Sequence, residues 1–332
     1  MSIRFILAAL LLAFTTTPAL AQPDQAGFQR QSLGDGTEMG IWYPATGIPT
    51  RQRLGLYTQD VVADAPVPDG RHPLVIISHG TGGDFASHVD TALALARKGF
   101  VVAALTHPGD NWRDKSRATR IEERPAALRA AISFMIHDWA GHPSIDPERI
   151  GAFGFSAGGF TVLAAAGGVP DLGRLASHCT ANPGFFDCTL VKSQPRETGT
   201  AWPMLRDERI KAIVVAAPAL GFTFEQGGLD AVKVPVQLWR ADDDPILPAP
   251  FYADAVKAAL PHPPEFRSVS NAGHFDFLAP CADPTLVPEI CQSAPGFDRA
   301  LFHAEFNEAV VAFFSAHLPA EQPSQDGSKK RL

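Results

Sequence analysis

A serine set between glycines is the first group in this sequence that could do chemistry. Ser156 stands in the stretch Gly154-Phe155-Ser156-Ala157-Gly158, after a run of strand-like residues and before a run of small ones. That frame is typical of the sharp strand-to-helix turn on which a serine hydroxyl is exposed as a nucleophile. Because glycine and serine are common residues, the frame also arises by chance, and the alternative is a small residue in a glycine-rich turn. The neighbouring sequence has to show whether Ser156 is a nucleophile or only a small turn residue.

A nucleophilic serine requires a histidine to accept its proton and a carboxylate to hold that histidine. Five histidines follow Ser156, and among them only His274 lies in a loop directly after a predicted strand, in Asn271-Ala272-Gly273-His274-Phe275. A loop at the carboxyl end of such a strand can place an imidazole over the serine hydroxyl. We therefore predict His274 as the general base.

The carboxylate is predicted in the run Asp242-Asp243-Asp244, at the carboxyl end of another predicted strand. Three adjacent carboxylates cannot all be buried, because like charges raise one another's pKa. We favour Asp244, since the turn that follows it opens the next helix, and Asp242 is the alternative. A metal site is not favoured, because no histidine or glutamate stands at ligand spacing nearby. No metal and no cofactor is therefore expected.

Attack on a carbonyl places negative charge on its oxygen, and fixed N–H donors can stabilise that charge by a few kcal/mol. The stretch Ser78-His79-Gly80-Thr81-Gly82-Gly83 follows a predicted strand, and its glycines allow the backbone to approach a ligand closely. We predict the backbone N–H groups of Thr81 and Ala157 as the two donors. A phosphate-binding loop is the competing interpretation, but the stretch has neither the Gly-Lys-Ser/Thr ending nor the G-x-G-x-x-G spacing.

Predicted strands alternate with predicted helices around these residues. Strands are predicted over 40–43, 73–78, 100–106, 149–155, 210–217, 234–240 and 265–269. Several of them are continuous apolar runs, as expected of strands buried on both faces of a parallel sheet. Helical patterns cover 89–98, 122–137, 157–166, 249–260 and 300–317. This alternation predicts an α/β fold, with helices on both faces of a mostly parallel sheet. Ser156 then lies at the carboxyl edge of the sheet, where such folds bind ligands.

One segment, residues 167–208, breaks this alternation and is rich in Gly, Pro and Asp. It is either an inserted cap or lid, or a long surface excursion held by a disulfide. Cys179 and Cys188 lie inside it, and Cys281 and Cys291 form a second close pair. Four cysteines permit three pairings, of which the two local ones are the simplest, and four buried thiols are the alternative.

The ends of the chain differ from its middle. Residues 1–21 have a charged start, a short apolar run and the sequence Ala19-Leu20-Ala21, which predicts a signal peptide cleaved near Ala21 and a periplasmic or secreted protein. A membrane anchor is the alternative, but the apolar run is too short to span a bilayer. We expect one domain over 22–318, with no transmembrane segment, followed by a disordered polar tail over 319–332.

Composition limits the class of partner. The chain has 332 residues, of which 45% are hydrophobic and 19% charged, and this is a globular composition. Its formal net charge is −7, and no basic stripe is present. Nucleic acid is therefore not expected as a partner.

Taken together, these segments resemble the α/β-hydrolase superfamily. Within it, the chain is most similar to the secreted serine esterases grouped with dienelactone hydrolases and platelet-activating-factor acetylhydrolases, and residues 78–104 resemble the latter group. The resemblance covers about residues 70–318. It implies an α/β-hydrolase fold, a small-molecule or lipid-like ester as substrate, and an acyl-enzyme mechanism carried by Ser156, Asp244 and His274.

The sequence departs from these groups at two points. Dienelactone hydrolases use a cysteine where this chain has Ser156, so their lactone specificity is not implied. Some acetylhydrolases take their acid from the strand after the serine, but residues 214–219 offer no carboxylate, which again favours Asp244.

Other functions share these residues. An amidase or peptidase would use the same triad, and a polyester or lipid depolymerase would add an apolar surface around Ser156. A non-catalytic binding protein on the same fold is a further alternative. Trp112, Phe155 and the 167–208 segment are candidates for lining the substrate site, whereas Phe160 is expected in the core.

Overall fold

The computed structural model describes residues 24–195, 202, 205–225 and 227–319. The predicted signal peptide and its cleavage site lie outside the described residues, as does the predicted tail beyond residue 319.

A single mixed sheet forms the centre of the described chain. Its ten strands are β1 (Gln25–Ser32), β2 (Glu38–Ala45), β3 (Thr50–Leu54), β4 (Tyr57–Ala63), β5 (His72–Ser78), β6 (Val101–Leu105), β7 (Ile145–Phe155), β8 (Ile210–Ala216), β9 (Val236–Ala241) and β10 (Glu265–Val269). They are arranged in the order β10-β9-β8-β7-β5-β6-β2-β1-β4-β3. The six strands from β10 to β6 are parallel, and β2 joins them antiparallel to β6.

Helices cover both faces of the sheet. They are α1 (Val89–Arg97), α2 (Glu123–His137), α3 (Ala157–Ala165), α4 (Arg174–Ala181), α5 (Phe186–Ser193), α6 (Ala253–Ala259), α7 (Pro288–Cys291) and α8 (Arg299–His317). One apolar cluster joins α2, α3 and α6 to the sheet, and the other joins α1 and α8 to its opposite face. The predicted α/β-hydrolase fold is confirmed.

The central strands are buried on both faces, as their continuous apolar sequences require. In β7, all residues from Ile150 to Phe155 are buried. Phe153 of this strand contacts Phe306 of α8, and both rings are fully buried. Each such side chain contributes about 1.5–3 kcal/mol to stability through burial, so the strand that leads to Ser156 is firmly held.

All predicted strands and helices are present, with shifts at their ends, and the structure adds elements that were not predicted. Strands β1, β3 and β4 were missed because polar residues interrupt their apolar pattern; β3, for example, reads Thr-Arg-Gln-Arg-Leu. Helix α6 begins at Ala253, not at Ala249. Ala249 directly precedes Pro250, and the residue before a proline disfavours the helical conformation, which explains the later start.

The 167–208 segment leaves and rejoins the domain at one point. The backbone N–H of Asp207 donates a hydrogen bond to the carbonyl of Ala165 at 2.8 Å. The segment contains α4 and α5, which the Cys179–Cys188 disulfide joins. Its two helices were not predicted, since both are short and α4 alternates apolar with polar residues.

The second predicted pairing is also present. The Cys281–Cys291 disulfide closes the loop that carries α7. None of the helices in the described part of the chain is both long enough and apolar enough to cross a membrane.

Candidate active site

Ser156 occupies a sharp turn between β7 and α3. Its backbone has φ +55° and ψ −118°, which is a strained conformation for a residue with a side chain. A Cβ atom on Gly154 would lie 2.1 Å from the carbonyl oxygen of Gly158, and one on Gly158 would lie 1.9 Å from that of Ser78. Both positions therefore require glycine. The turn is fixed further by the Ser156 N–H, which donates to the Ala216 carbonyl at 2.9 Å.

His274 and Asp244 reach Ser156 from neighbouring loops at the same sheet edge. The Nε2 atom of His274 lies 3.0 Å from Ser156 Oγ, and its Nδ1 atom lies 2.7 Å from Asp244 Oδ2. All three residues are buried. With the imidazole neutral and its hydrogen on Nδ1, Nδ1–H donates to Asp244 and Nε2 is free to accept the serine proton.

Asp244 is held as an acceptor on both of its oxygens. Its Oδ1 accepts hydrogen bonds from the backbone N–H groups of Ile246 and Leu247, each at 2.8 Å. Burial acts to raise the pKa of this carboxyl, but the neighbouring His274 and the backbone donors outweigh it and hold the pKa below its ordinary value. Asp244 is therefore ionised at neutral pH.

Asp242, the alternative acid, points away from His274. It forms an ion pair with Arg240 at 2.8 Å and accepts a hydrogen bond from Ser268 at the surface. Asp243 is exposed. The structure thus places Asp244 beside the histidine, as favoured from the sequence.

The two predicted oxyanion donors border the serine. Thr81 lines the same cleft as Ser156 and His274, and Ala157 follows Ser156 directly. In the described part of the chain, neither N–H takes part in a loop or turn hydrogen bond to a backbone carbonyl. Next to Thr81, the Gly80 carbonyl accepts hydrogen bonds from His79 Nδ1 at 2.6 Å and from the Gly83 N–H at 3.1 Å.

Behind this loop lies a buried polar group that the sequence analysis missed. The Arg124 guanidinium pairs with Asp110, donates to the His79 carbonyl, and donates to Thr161 Oγ1 at 3.2 Å. Burial lowers the pKa of Arg124, and the Asp110 carboxylate opposes this. Burial, reinforced by Arg124, also holds the pKa of His79 well below its ordinary value, so His79 is neutral.

A second polar network supports the His274 loop from the other side. Asp276 accepts from the Gly273 N–H at 2.8 Å and pairs with Arg299 at 3.0 Å. Its carbonyl accepts from His303 Nε2 at 2.8 Å, and His303 Nδ1 lies 2.6 Å from Asp90. Burial opposes charge on both partners, yet their attraction prevails: the pKa of His303 is raised and that of Asp90 is lowered to about 2. The contact therefore favours the charged forms of both side chains.

The cleft above Ser156 has a volume of about 600 Å³ and mainly apolar walls. Phe186, Leu190 and Gln194 of the 167–208 segment line one side of it, and Trp112 and Phe275 line others. Trp112 and Phe186 are 60% and 39% exposed, so the rim is aromatic as well as open to solvent.

Phe155 also lines the cleft, whereas Phe160 is fully buried against Phe224 in the core, as predicted.

One group of side chains has the composition of a metal site. In the part of the chain that the structure describes, His178, Asp187 and Cys188 bring possible ligand atoms within 4.8 Å of one another. The Cys188 sulfur, however, is bonded to Cys179, and Asp187 accepts a hydrogen bond from the Tyr252 hydroxyl at 3.1 Å. The group is better explained as the contact that fastens α4 and α5 to the main domain.

Comparisons with known proteins found a matching family, a sequence relative and a structural neighbour. Residues 41–136 match the family model of platelet-activating factor acetylhydrolase, isoform II. A candidate esterase, NocK of Nocardia uniformis subsp. tsuyamanensis, is 29% identical over 161 residues, which are 47% of this chain and 45% of that protein. The chain thus spans less than half the length of this relative. A structure of a ferulic acid esterase from Streptomyces cinnamoneus is similar in fold, with a TM-score of 0.59 and 18% identity, over 93% of this chain and 94% of the other.

These matches confirm the resemblance to the α/β-hydrolase superfamily and to the acetylhydrolase group. The family match ends before Ser156, His274 and Asp244, so the assignment of those residues depends on their geometry in this structure.

Proposed function

We propose that this protein is a serine hydrolase that cleaves carboxylic esters. The observation that carries the proposal is the continuous hydrogen-bonded chain from Ser156 Oγ through His274 to Asp244. The family match and the esterase names of the two similar proteins support an ester as the substrate.

In the proposed mechanism, Ser156 Oγ attacks the ester carbonyl carbon while His274 Nε2 accepts the hydroxyl proton. The oxyanion accepts hydrogen bonds from the N–H groups of Thr81 and Ala157. As the carbon–oxygen bond to the alcohol breaks, His274 returns the proton to the leaving alkoxide. Water then attacks the acyl-enzyme with His274 again as base, which releases the carboxylic acid and restores Ser156. Asp244 holds the imidazole in the required tautomer throughout, and this scheme uses no cofactor.

The walls of the cleft favour an ester with an apolar body. Its volume fits a ligand of small-molecule size, and its aromatic rim offers flat contacts to a ring or an acyl chain. We propose that the 167–208 segment is a cap that completes this binding surface, because α5 contributes to the cleft wall. A polyester or lipid substrate is the second candidate, and the exposed Trp112 and Phe186 at the rim favour it.

Export of the protein is part of the proposal. The sequence of residues 1–21 and the two disulfides both fit an oxidising compartment outside the cytosol.

A panel of 4-nitrophenyl esters with increasing acyl length tests the function. The wild type should hydrolyse at least part of the panel, with a preference set by the cleft, whereas Ser156→Ala should lose activity throughout. Matched anilides would separate an esterase from an amidase. Unchanged hydrolysis by Ser156→Ala would rule out the mechanism.

A further inference from the structure

The buried pair formed by Arg124 and Asp110 touches both halves of the proposed oxyanion hole. Arg124 is the second residue of α2, and the side chains of Arg124 and Asp110 are each only 3% exposed. Neither residue lines the cleft above Ser156. Their contacts, however, lead to the two backbone segments that carry the N–H donors.

On the Thr81 side, the pair holds the residues before and after the donor. Arg124 donates to the carbonyl of His79, and Asp110 Oδ1 accepts from the N–H of Gly82 at 2.9 Å. The neutral His79 ring in turn donates to the Gly80 carbonyl. Because the C=O and N–H of one peptide point in opposite directions, fixing the Gly80 carbonyl also fixes the direction of the Thr81 N–H.

On the Ala157 side, the contact passes through Thr161. Its hydroxyl accepts a hydrogen bond from Arg124 Nε at 3.2 Å and donates one to the Ala157 carbonyl at 2.7 Å. Arg124 therefore bridges the Thr81 loop and the first turn of α3, which are separate elements of the fold.

Stability alone does not explain this arrangement. A buried ion pair often stabilises a protein no more than apolar side chains of the same size, because both charges lose their hydration. Two donors that must point at the same oxygen, in contrast, stabilise the oxyanion better when a rigid link fixes their relative positions.

We propose that Arg124, with Asp110 and Thr161, is a positioning residue that sets the separation and direction of the two oxyanion donors. This role rests on the proposed function, since it concerns the same site. It acts on the transition state more than on the bound ester, because the oxyanion exists only after attack.

Arg124→Met tests the proposal with a neutral 4-nitrophenyl ester as substrate. We expect kcat to fall about 100-fold, comparable to the loss of one oxyanion donor, with KM changed less than about threefold. Inhibition by a trifluoromethyl ketone, whose adduct with Ser156 carries an oxyanion, should weaken in parallel. Arg209→Met is the control, because Arg209 pairs with Asp207 directly before β8 begins and also donates to the Arg129 carbonyl of α2, so it weakens the attachment of α2 without touching the oxyanion donors. It should lower the unfolding temperature without changing kcat.

Two milder variants test the positioning role if Arg124→Met does not fold. Thr161→Ser keeps the hydroxyl and should retain kcat within about twofold, whereas Thr161→Val should lose about tenfold in kcat and in ketone affinity. Equal kcat in these two variants, or a folded Arg124→Met with wild-type kcat, would overturn the positioning role. If kcat falls while ketone affinity stays unchanged, the role is likewise refuted. Failure of the proposed function would look different, since Ser156→Ala would then remain active.

Discussion

Replacing Asp244 with asparagine should disable His274 by reversing its tautomer. In the wild type, Asp244 Oδ1 accepts from two backbone N–H groups, of Ile246 and Leu247, and Oδ2 faces His274 Nδ1. An asparagine keeps its oxygen on the two backbone donors, so its NH₂ group takes the place of Oδ2. That group can only donate, which forces the imidazole hydrogen onto Nε2. Nε2 can then no longer accept the proton of Ser156.

The expected loss of kcat is large because His274 Nε2 can no longer accept the proton of Ser156, although the positions of the side chains are kept. A change of this kind lowers kcat about 10⁴-fold, equivalent to about 5.5 kcal/mol in the activation barrier. The assay is steady-state hydrolysis of a short-chain 4-nitrophenyl ester, with circular dichroism to show that the fold is intact.

Asp242→Asn is the matched control. It removes the partly exposed ion pair with Arg240, worth about 0–1 kcal/mol of stability, and alters the surface contacts with Ser268 and Ser270, but should leave kcat unchanged. The reasoning is refuted if Asp244→Asn keeps more than a tenth of wild-type kcat, or if Asp242→Asn loses as much.

Three further predictions concern residues that support the site. Gly158→Ala should abolish folding or activity, because its Cβ would collide with the Ser78 carbonyl, whereas Gly34→Ala, in open space, should be tolerated; thermal unfolding and ester hydrolysis measure both. The pKa of Asp90 is depressed from 3.8 to about 2, so its ionisation stabilises the fold above about pH 4, and this stabilisation is lost as the pH falls toward 2. Asp90→Asn should therefore remove about 2 kcal/mol of that pH dependence in urea unfolding between pH 5 and pH 2. Asp60→Asn should remove much less, because the ion pair that lowers the pKa of Asp60 is exposed and screened by solvent. Removing the Cys179–Cys188 disulfide by a double alanine substitution should lower the free energy of unfolding by about 2–3 kcal/mol. It should also raise KM for bulky esters more than for an acetate ester. Equal changes in KM would contradict a cleft wall built by α5.

The fold was predictable where burial leaves a continuous apolar run. Strand β7 and helix α3 were predicted within a few residues, because residues 150–155 of β7 are buried on both faces and are therefore continuously apolar. Strand β3, at the far edge of the sheet, is largely polar, since only one of its five residues is buried. Its partner β4 follows after a two-residue turn, but the polar residues of β3 give no apolar pattern from which a strand could be predicted.

The proposed catalytic side chains could be named from the sequence for a related reason. In a parallel sheet the strand ends meet at one edge, so Ser156, Asp244 and His274 are brought together by strand order alone. Arg124 could not be named in this way. It stands in a charged stretch, Arg120-Ile121-Glu122-Glu123-Arg124, that resembles an ordinary solvated helix start, and its burial depends on the distant partners Asp110 and Thr161.

The two ends of the 167–208 segment lie side by side, and contacts such as that between Asp187 and Tyr252 hold its helices to the domain. The hydrogen bond between Ala165 and Asp207 joins its two ends, so a segment of different length could replace it without altering the path of β7, α3 or β8. The proposed catalytic residues would stay in place, while the part of the cleft wall that α5 forms would change. In this architecture, substrate preference can diverge by loop exchange independently of the chemistry, and engineered chimeras at this junction offer a direct route to new specificities.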